Sequence, residues 1–308
     1  MTPWAAHPAV RPLVPEVRPA PAIRECGSLG VGNVFGCAQG PDVIDRRRFL
    51  AAATGTLVSA LVAASLRQAA RAAAPEVSDT TKRLAALFDV FMDERFAENP
   101  EQLTELGLDK GKHAWAKSRL TERSLAHARQ VKMANGGRLK RLKAVGSGSL
   151  SGADLANYDT IEFQMETIAR TEPFDYGDLG RPYVVSQLTG AYQSVPSFLD
   201  RQHQVNNKDD AEAYLSRLRA FAVVLDQETE RLRHDAGLKV VPPDFIIERT
   251  LEQMRTLRSA PPAESILSTS LARRTQQLGI GGRYGEDAAR MVANEVYPAL
   301  DRQASALG

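Results

Sequence analysis

Residues 209–237 read DDAEAYLSRLRAFAVVLDQETERLRHDAG, and this stretch decides the architecture. Tyr214, Leu218, Phe221, Leu225 and Leu232 recur at steps of three, four and seven, the spacing of one face of an α-helix. Asp209 is a capping residue at its start and Gly237 a stop at its end. A helix of this length with an apolar seam must bury that seam against other elements.

Working outward, the neighbouring segments read the same way. Downstream, Pro242-Pro243 opens a helix with Ile247, Leu251 and Met254 on one face, and Pro261-Pro262 divides it from another that stops at Gly279. The last helix runs from about Glu286, with a kink expected at Tyr297-Pro298. Upstream, Leu84, Leu87, Phe88, Phe91 and Phe96 form a stripe capped by Ser78 or Asp79, and Pro100 restarts a short helix that closes at Gly107. Thr121 to Val145 reads as a weaker helix broken at Gly136-Gly137, with Lys132, Lys140, Arg141 and Lys143 on a solvated face. Ser151 to Asp154 resembles a capping box with Asp in place of Glu, opening a helix that carries Leu155, Tyr158, Ile161, Met165 and Ile168. Pro173–Pro182 is irregular, and Pro182–Leu199 is extended or a short helix. No alternating strand pattern with hairpin turns occurs. The expected fold over residues 73–308 is all-α, an antiparallel helical domain or half-domain.

The segment before it is a targeting signal. Arg46-Arg47-Arg48-Phe49-Leu50 precedes a charge-free apolar run, Ala51 to Leu66. Arg46, Arg47, Phe49 and Leu50 match a twin-arginine export motif. Ala70 and Ala72 supply the small residues of a cleavage site before Ala73. Residues 43–72 are thus a twin-arginine signal peptide, and residues 1–42 are a disordered or untranslated extension. The partner implied is the twin-arginine export machinery, which carries folded cargo. The expected location is periplasmic or secreted, or membrane-anchored if the signal stays uncleaved.

Charge follows the same division. The first 72 residues hold eight of the 39 basic and four of the 37 acidic side chains, so the remainder has 31 against 33, a net −2. That leaves no basic footprint for nucleic acid. Cys26 and Cys37 both precede the signal, so residues 73–308 contain neither a disulfide nor a thiolate ligand set. His113, His127, His203 and His234 lack zinc-motif spacing, and there is no nucleophile elbow or Walker loop. Glu162 and Glu166, four apart, could share a metal or a proton, but the Glu-x-x-His partners of a di-metal bundle are missing and a solvated face is the simpler reading. Tyr183, Gln187, Tyr192 and Gln193 form a possible polar pocket or a well-packed loop.

The order of several segments resembles a known family. Leu87-Phe88-Asp89-Val90-Phe91-Met92-Asp93-Glu94, Asn99-Pro100-Glu101, Thr104 to Gly107, Ala156-Asn157-Tyr158-Asp159, Val185 to Gly190, Val195 to Leu199, Ala211 to Leu218 and Pro242 to Gln253 together resemble the bacterial domain of unknown function 885. The resemblance implies a helical, zincin-like peptidase fold about twice this long. It also implies a zinc motif, a His-Glu pair followed by Pro-Gly-His, which this sequence does not contain. No catalytic or metal residue can be carried over, so the catalytic set is unknown. The expectation is an exported N-terminal half without activity alone, with zinc only if a separately encoded C-terminal half supplies it. The alternative is a non-enzymatic periplasmic binding or scaffold protein.

Overall fold

The apolar stripes become helices packed around the stretch quoted above. The computed structural model describes residues 78–178 and 180–308; the segments expected to be an extension and an export signal, with Arg46, Arg47, Phe49, Leu50, Ala70 and Ala72, lie outside the described residues. In chain order come α1 (Asp79–Glu98), α2 (Pro100–Glu105), a 3₁₀ segment (Gly111–Ser118), α3 (Leu125–Val145) and α4 (Gly152–Ala169). Then follow α5 (Ala191–Arg201), α6 (Lys208–Gly237), α7 (Asp244–Ser259), α8 (Ile266–Gln277), α9 (Tyr284–Met291), a π turn (Val292–Val296) and α10 (Tyr297–Leu307). Among the described residues there is no β-strand, only two isolated bridges, Asp178 with Arg181 and Ser186 with Thr189. The fold is all-α. None of these helices is long and apolar enough to cross a membrane.

The 30-residue α6 is the spine. Tyr214, Leu218, Phe221 and Leu225 are fully buried, each contributing about 1.5–3 kcal/mol of apolar burial. They share one core with Val185, Tyr192, Val195 and Leu199 from the α5 region, Leu267 and Leu271 of α8, and Val296 and Leu300 from the C-terminal helices. A second cluster joins α1, α3 and α4 through Leu84, Phe91, Leu142, Tyr158 and Met165, and a third, smaller one holds Phe96, Leu103 and Ala116.

Several local expectations shift. The cap of α6 is Asn207, whose side chain accepts the Asp210 N–H at 2.9 Å, so Asp209 and Asp210 sit in the first turn where the helix dipole favours acids. Helix α3 runs unbroken through Gly136-Gly137. Two glycines cost about 2 kcal/mol relative to alanine, but full burial of Leu142 and the bond from Asn135 Nδ2 to Met165 O at 2.9 Å hold the turn closed. The Ser151 capping box does not form, because Asp154 instead accepts from Thr81 Oγ1 at 3.1 Å and ties α4 to α1. The basic face of α3 is paired rather than merely solvated: Arg138 and Arg141 both bind Glu94, at 2.8 and 2.7 Å. The hydrogen bond from Arg141, joined by that from Arg138 and then by both charges, outweighs burial and lowers the Glu94 carboxyl to about 2. The irregularity near Pro298 falls one turn earlier than the Tyr297-Pro298 dipeptide. Proline has no N–H for the carbonyl four residues back, and the helix widens there until Tyr297 N–H reaches Val292 O five residues back.

Arg217 pins the N-terminal elements to α6. It is fully buried, with Nε donating to Arg119 O at 2.9 Å, Nη2 to Thr104 Oγ1 at 2.6 Å and to Ala116 O at 2.9 Å, and Nη1 to His203 Nδ1 at 2.7 Å. Without a carboxylate in contact, burial brings its guanidinium down to about 10.

Candidate functional site

Where the α1–α3 side meets α5 and α6, the chain leaves a cleft of about 650 Å³. That volume lies within the range of small-ligand sites. Arg95 and Glu98 enter from the end of α1, Glu101 and Glu105 from α2, and Glu122, Arg123, His127 and Lys132 from the start of α3 and the residues before it. The loop before α5 adds Asp178, Arg181 and Thr189; α5 adds Gln193 and Ser194, and α6 adds Glu228 and Arg231.

Glu228 organises the wall. Its side chain is 2% exposed, and it pairs with Arg123 Nη1 at 2.8 Å. Both of its oxygens accept from the buried Ala191 N–H, at 3.0 and 2.9 Å, so a carboxylate on α6 caps the N-terminus of α5. Gln303 Nε2 of α10 completes its shell at 3.2 Å. Arg123 also reaches Ser194 Oγ at 3.1 Å, and its N–H donates to Gln227 Oε1 at 2.8 Å. Burial alone would lower the Arg123 pKa, but the charge and hydrogen bond of Glu228 outweigh it and the guanidinium is raised. Gly190 precedes α5 at φ 125°, a backbone open to glycine, and a Cβ there would press on the Tyr192 ring at 3.0 Å.

The loop at the other edge is held by α6 as well. Arg231 Nη2 donates to Gly177 O at 2.5 Å, and Asp235 Oδ2 accepts the Gly177 N–H at 2.9 Å. Burial raises the Asp235 carboxyl, the Gly177 bond opposing it. Gly177 has φ 64°, and a Cβ would collide with Arg181 O and lie 2.8 Å from Pro182 O.

Of the four residues expected to form a polar pocket, Gln193 lines the cleft. Its Nε2 donates to Gln187 O at 3.2 Å. Tyr192 is buried beneath the wall, with its hydroxyl 2.9 Å from Ser186 O and 2.5 Å from Gln253 Oε1. Burial first, and the Glu228 charge second, push its hydroxyl up to about 12. Tyr183 and Gln187 are half-buried outside the cleft lining. Glu162 and Glu166 face Lys143 Nζ at 3.9 and 2.6 Å.

The donors for a metal do not converge. Among the described residues no three His, Cys, Asp or Glu side chains are placed to share an ion. His203 spends both ring nitrogens, on Asp210 O at 2.9 Å and on Arg217, and His234 Nε2 is held by Asp175 O at 2.8 Å. The cleft's described polar lining carries both acidic and basic side chains.

Two residues of the wall, Glu228 and Arg231, stand as polar intruders on the α6 seam. Arg217, Glu228, Arg231 and Asp235 are buried among its apolar positions, and a charge on a buried stripe demands a partner.

The family model for bacterial protein of unknown function (DUF885) matches residues 100–308. The chain belongs to this family. Among curated proteins, none is similar enough to match. A crystal structure of a "putative lipoprotein" from Colwellia psychrerythraea aligns with a TM-score of 0.65 at 16% identity, over 75% of this chain and 41% of that one. The DUF885 chain therefore spans about two-fifths of that protein's length, and the likeness is one of fold.

Proposed function

We propose that this DUF885 chain forms the binding wall of a substrate cleft in an exported, peptidase-like protein, holding peptide without cleaving it alone. The observation that carries this reading is the cleft's mixed lining, with acids on α2 and before α3, cations on α3 and the α5 loop, and a rigid Arg123–Glu228 floor. A peptide presents both charges and a polar backbone, and such a lining is complementary to it. The export motif at Arg46-Arg47 and the lipoprotein description of the similar crystal structure support a location outside the cytoplasm.

The test is direct. The purified chain is assayed for zinc, for peptide cleavage and for peptide binding by calorimetry. Binding without cleavage and without stoichiometric zinc is expected. One zinc per chain together with cleavage overturns the proposal.

A further inference from the structure

We infer that the cleft recognises a carboxylate joined to an aromatic side chain, as at the C-terminus of a peptide ending in phenylalanine. This rests on the reading of the cleft as a peptide site and names the end of the peptide it selects. A second cavity of about 210 Å³ opens beside the first. The two share Lys132, Asp178 and Arg181. The smaller is walled by Phe174 and Tyr176, whose ring centroids lie 5.8 Å apart at 60°. A cavity of about 150 Å³ already admits benzene, so this annex has room for one aromatic ring. Two tilted rings offer that ring edge-to-face contact.

The rim between the cavities carries the charge. Lys132 Nζ spends one hydrogen on Phe174 O at 2.6 Å and keeps two. Arg181 is fixed by its backbone, its N–H donating to Asp178 O at 2.8 Å and its carbonyl accepting from Asp178 N at 2.9 Å. Its guanidinium has no carboxylate partner among the described residues, and its fork suits a carboxylate. Asp178, the acid on this rim, faces Arg231 at 3.6 Å, so the rim is cationic overall. The acids Glu98, Glu101, Glu105 and Glu122 line the main cavity and not the annex. A zwitterionic chain thus fits in one direction, with its ring in the annex, its carboxylate on Lys132 and Arg181, and its amino end toward the acids.

Calorimetry with the purified chain compares Gly-Gly-Phe, its C-terminal amide, Gly-Gly-Gly and 3-phenylpropionate. Gly-Gly-Phe should bind at least tenfold more tightly than the amide or Gly-Gly-Gly. Arg181→Ala should abolish the preference over the amide, and Phe174→Ala the preference over Gly-Gly-Gly; both side chains are exposed, so an unchanged urea midpoint confirms the fold. Equal affinity for the three peptides overturns this inference and leaves the binding cleft standing. Binding of 3-phenylpropionate as tight as that of Gly-Gly-Phe overturns the peptide assignment. Binding of none of the four overturns the inference and the cleft reading together.

Discussion

Removing the Glu228 carboxylate should be the most damaging single change to the cleft wall. Glu228→Ala leaves the Ala191 N–H buried without an acceptor and the Arg123 guanidinium without its counter-charge. Breaking a buried ion pair from one side costs about 3–5 kcal/mol. Arg123 keeps 23% of its side-chain surface exposed, which sets the expectation at the lower end, about 3 kcal/mol. With a urea slope of about 3 kcal/mol per molar, the midpoint should fall by about 1 M. Glu228→Gln retains an acceptor for Ala191 and should cost about half as much. The pair itself is isolated by adding Arg123→Ala: the double variant should recover at least ~1 kcal/mol relative to the sum of the single changes. A loss below ~1 kcal/mol for Glu228→Ala, or strict additivity in the double variant, would refute the claim that this carboxylate anchors α5 and the cleft floor.

Arg217→Met should strip four hydrogen bonds from the interior and leave the Arg119 carbonyl unpaired, at about 1–3 kcal/mol for such an orphan, while Ala116 O keeps the Arg119 N–H; limited proteolysis should then cut within residues 99–120, and an unchanged digest would count against the pinning role. His203, held at about 4 by burial and then by the Arg217 charge, is neutral in the fold while the unfolded chain takes up its proton near 6.5. Stability from this group is therefore complete above about pH 6.5 and lost as the pH falls toward 4, by up to roughly 3 kcal/mol. His203→Gln should flatten urea midpoints over that window, and a parallel pH curve would disprove the assignment. Gly177→Ala should distort the 177–182 turn, weakening Gly-Gly-Phe binding more than tenfold while the main core holds. Unaltered affinity would show that the turn does not shape the annex.

The all-α class was readable because seams such as Tyr214–Leu218–Phe221–Leu225 repeat at helical spacing, and that periodicity is a local property of the chain. Continuity of α3 through Gly136-Gly137 was not readable, since burial of Leu142 in the cluster shared with α1 and α4 and the Asn135–Met165 bond decide it, and sequence distance hides those contacts. The cleft wall was half-legible. Gln193 was found through composition, whereas Arg123, Glu228, Arg231 and Arg181 meet only after α3, α5 and α6 pack, across separations of up to 108 residues. Glu228 carried the available clue, a charge on an apolar stripe, and Arg181 carried none, because a lone arginine in a turn looks solvated until Lys132 arrives beside it.

The π turn at Val292–Val296 sets the phase of the chain's last apolar stripe. Tyr284, Ala288, Val292, Val296 and Leu300 are all buried and all four residues apart. An α-helix turns about 100° per residue, so each step of four overshoots a full turn by about 40°. Over this run an uninterrupted α-helix would carry Leu300 about 160° away from Tyr284, onto the solvent side. The wider turn takes back much of that drift and returns Leu300, Gln303 and Leu307 to the surface of α6 and α7. Gln303 is the residue that touches Glu228, so a five-residue irregularity distant in sequence from the cleft sets the angular position of one of the side chains that hold its floor.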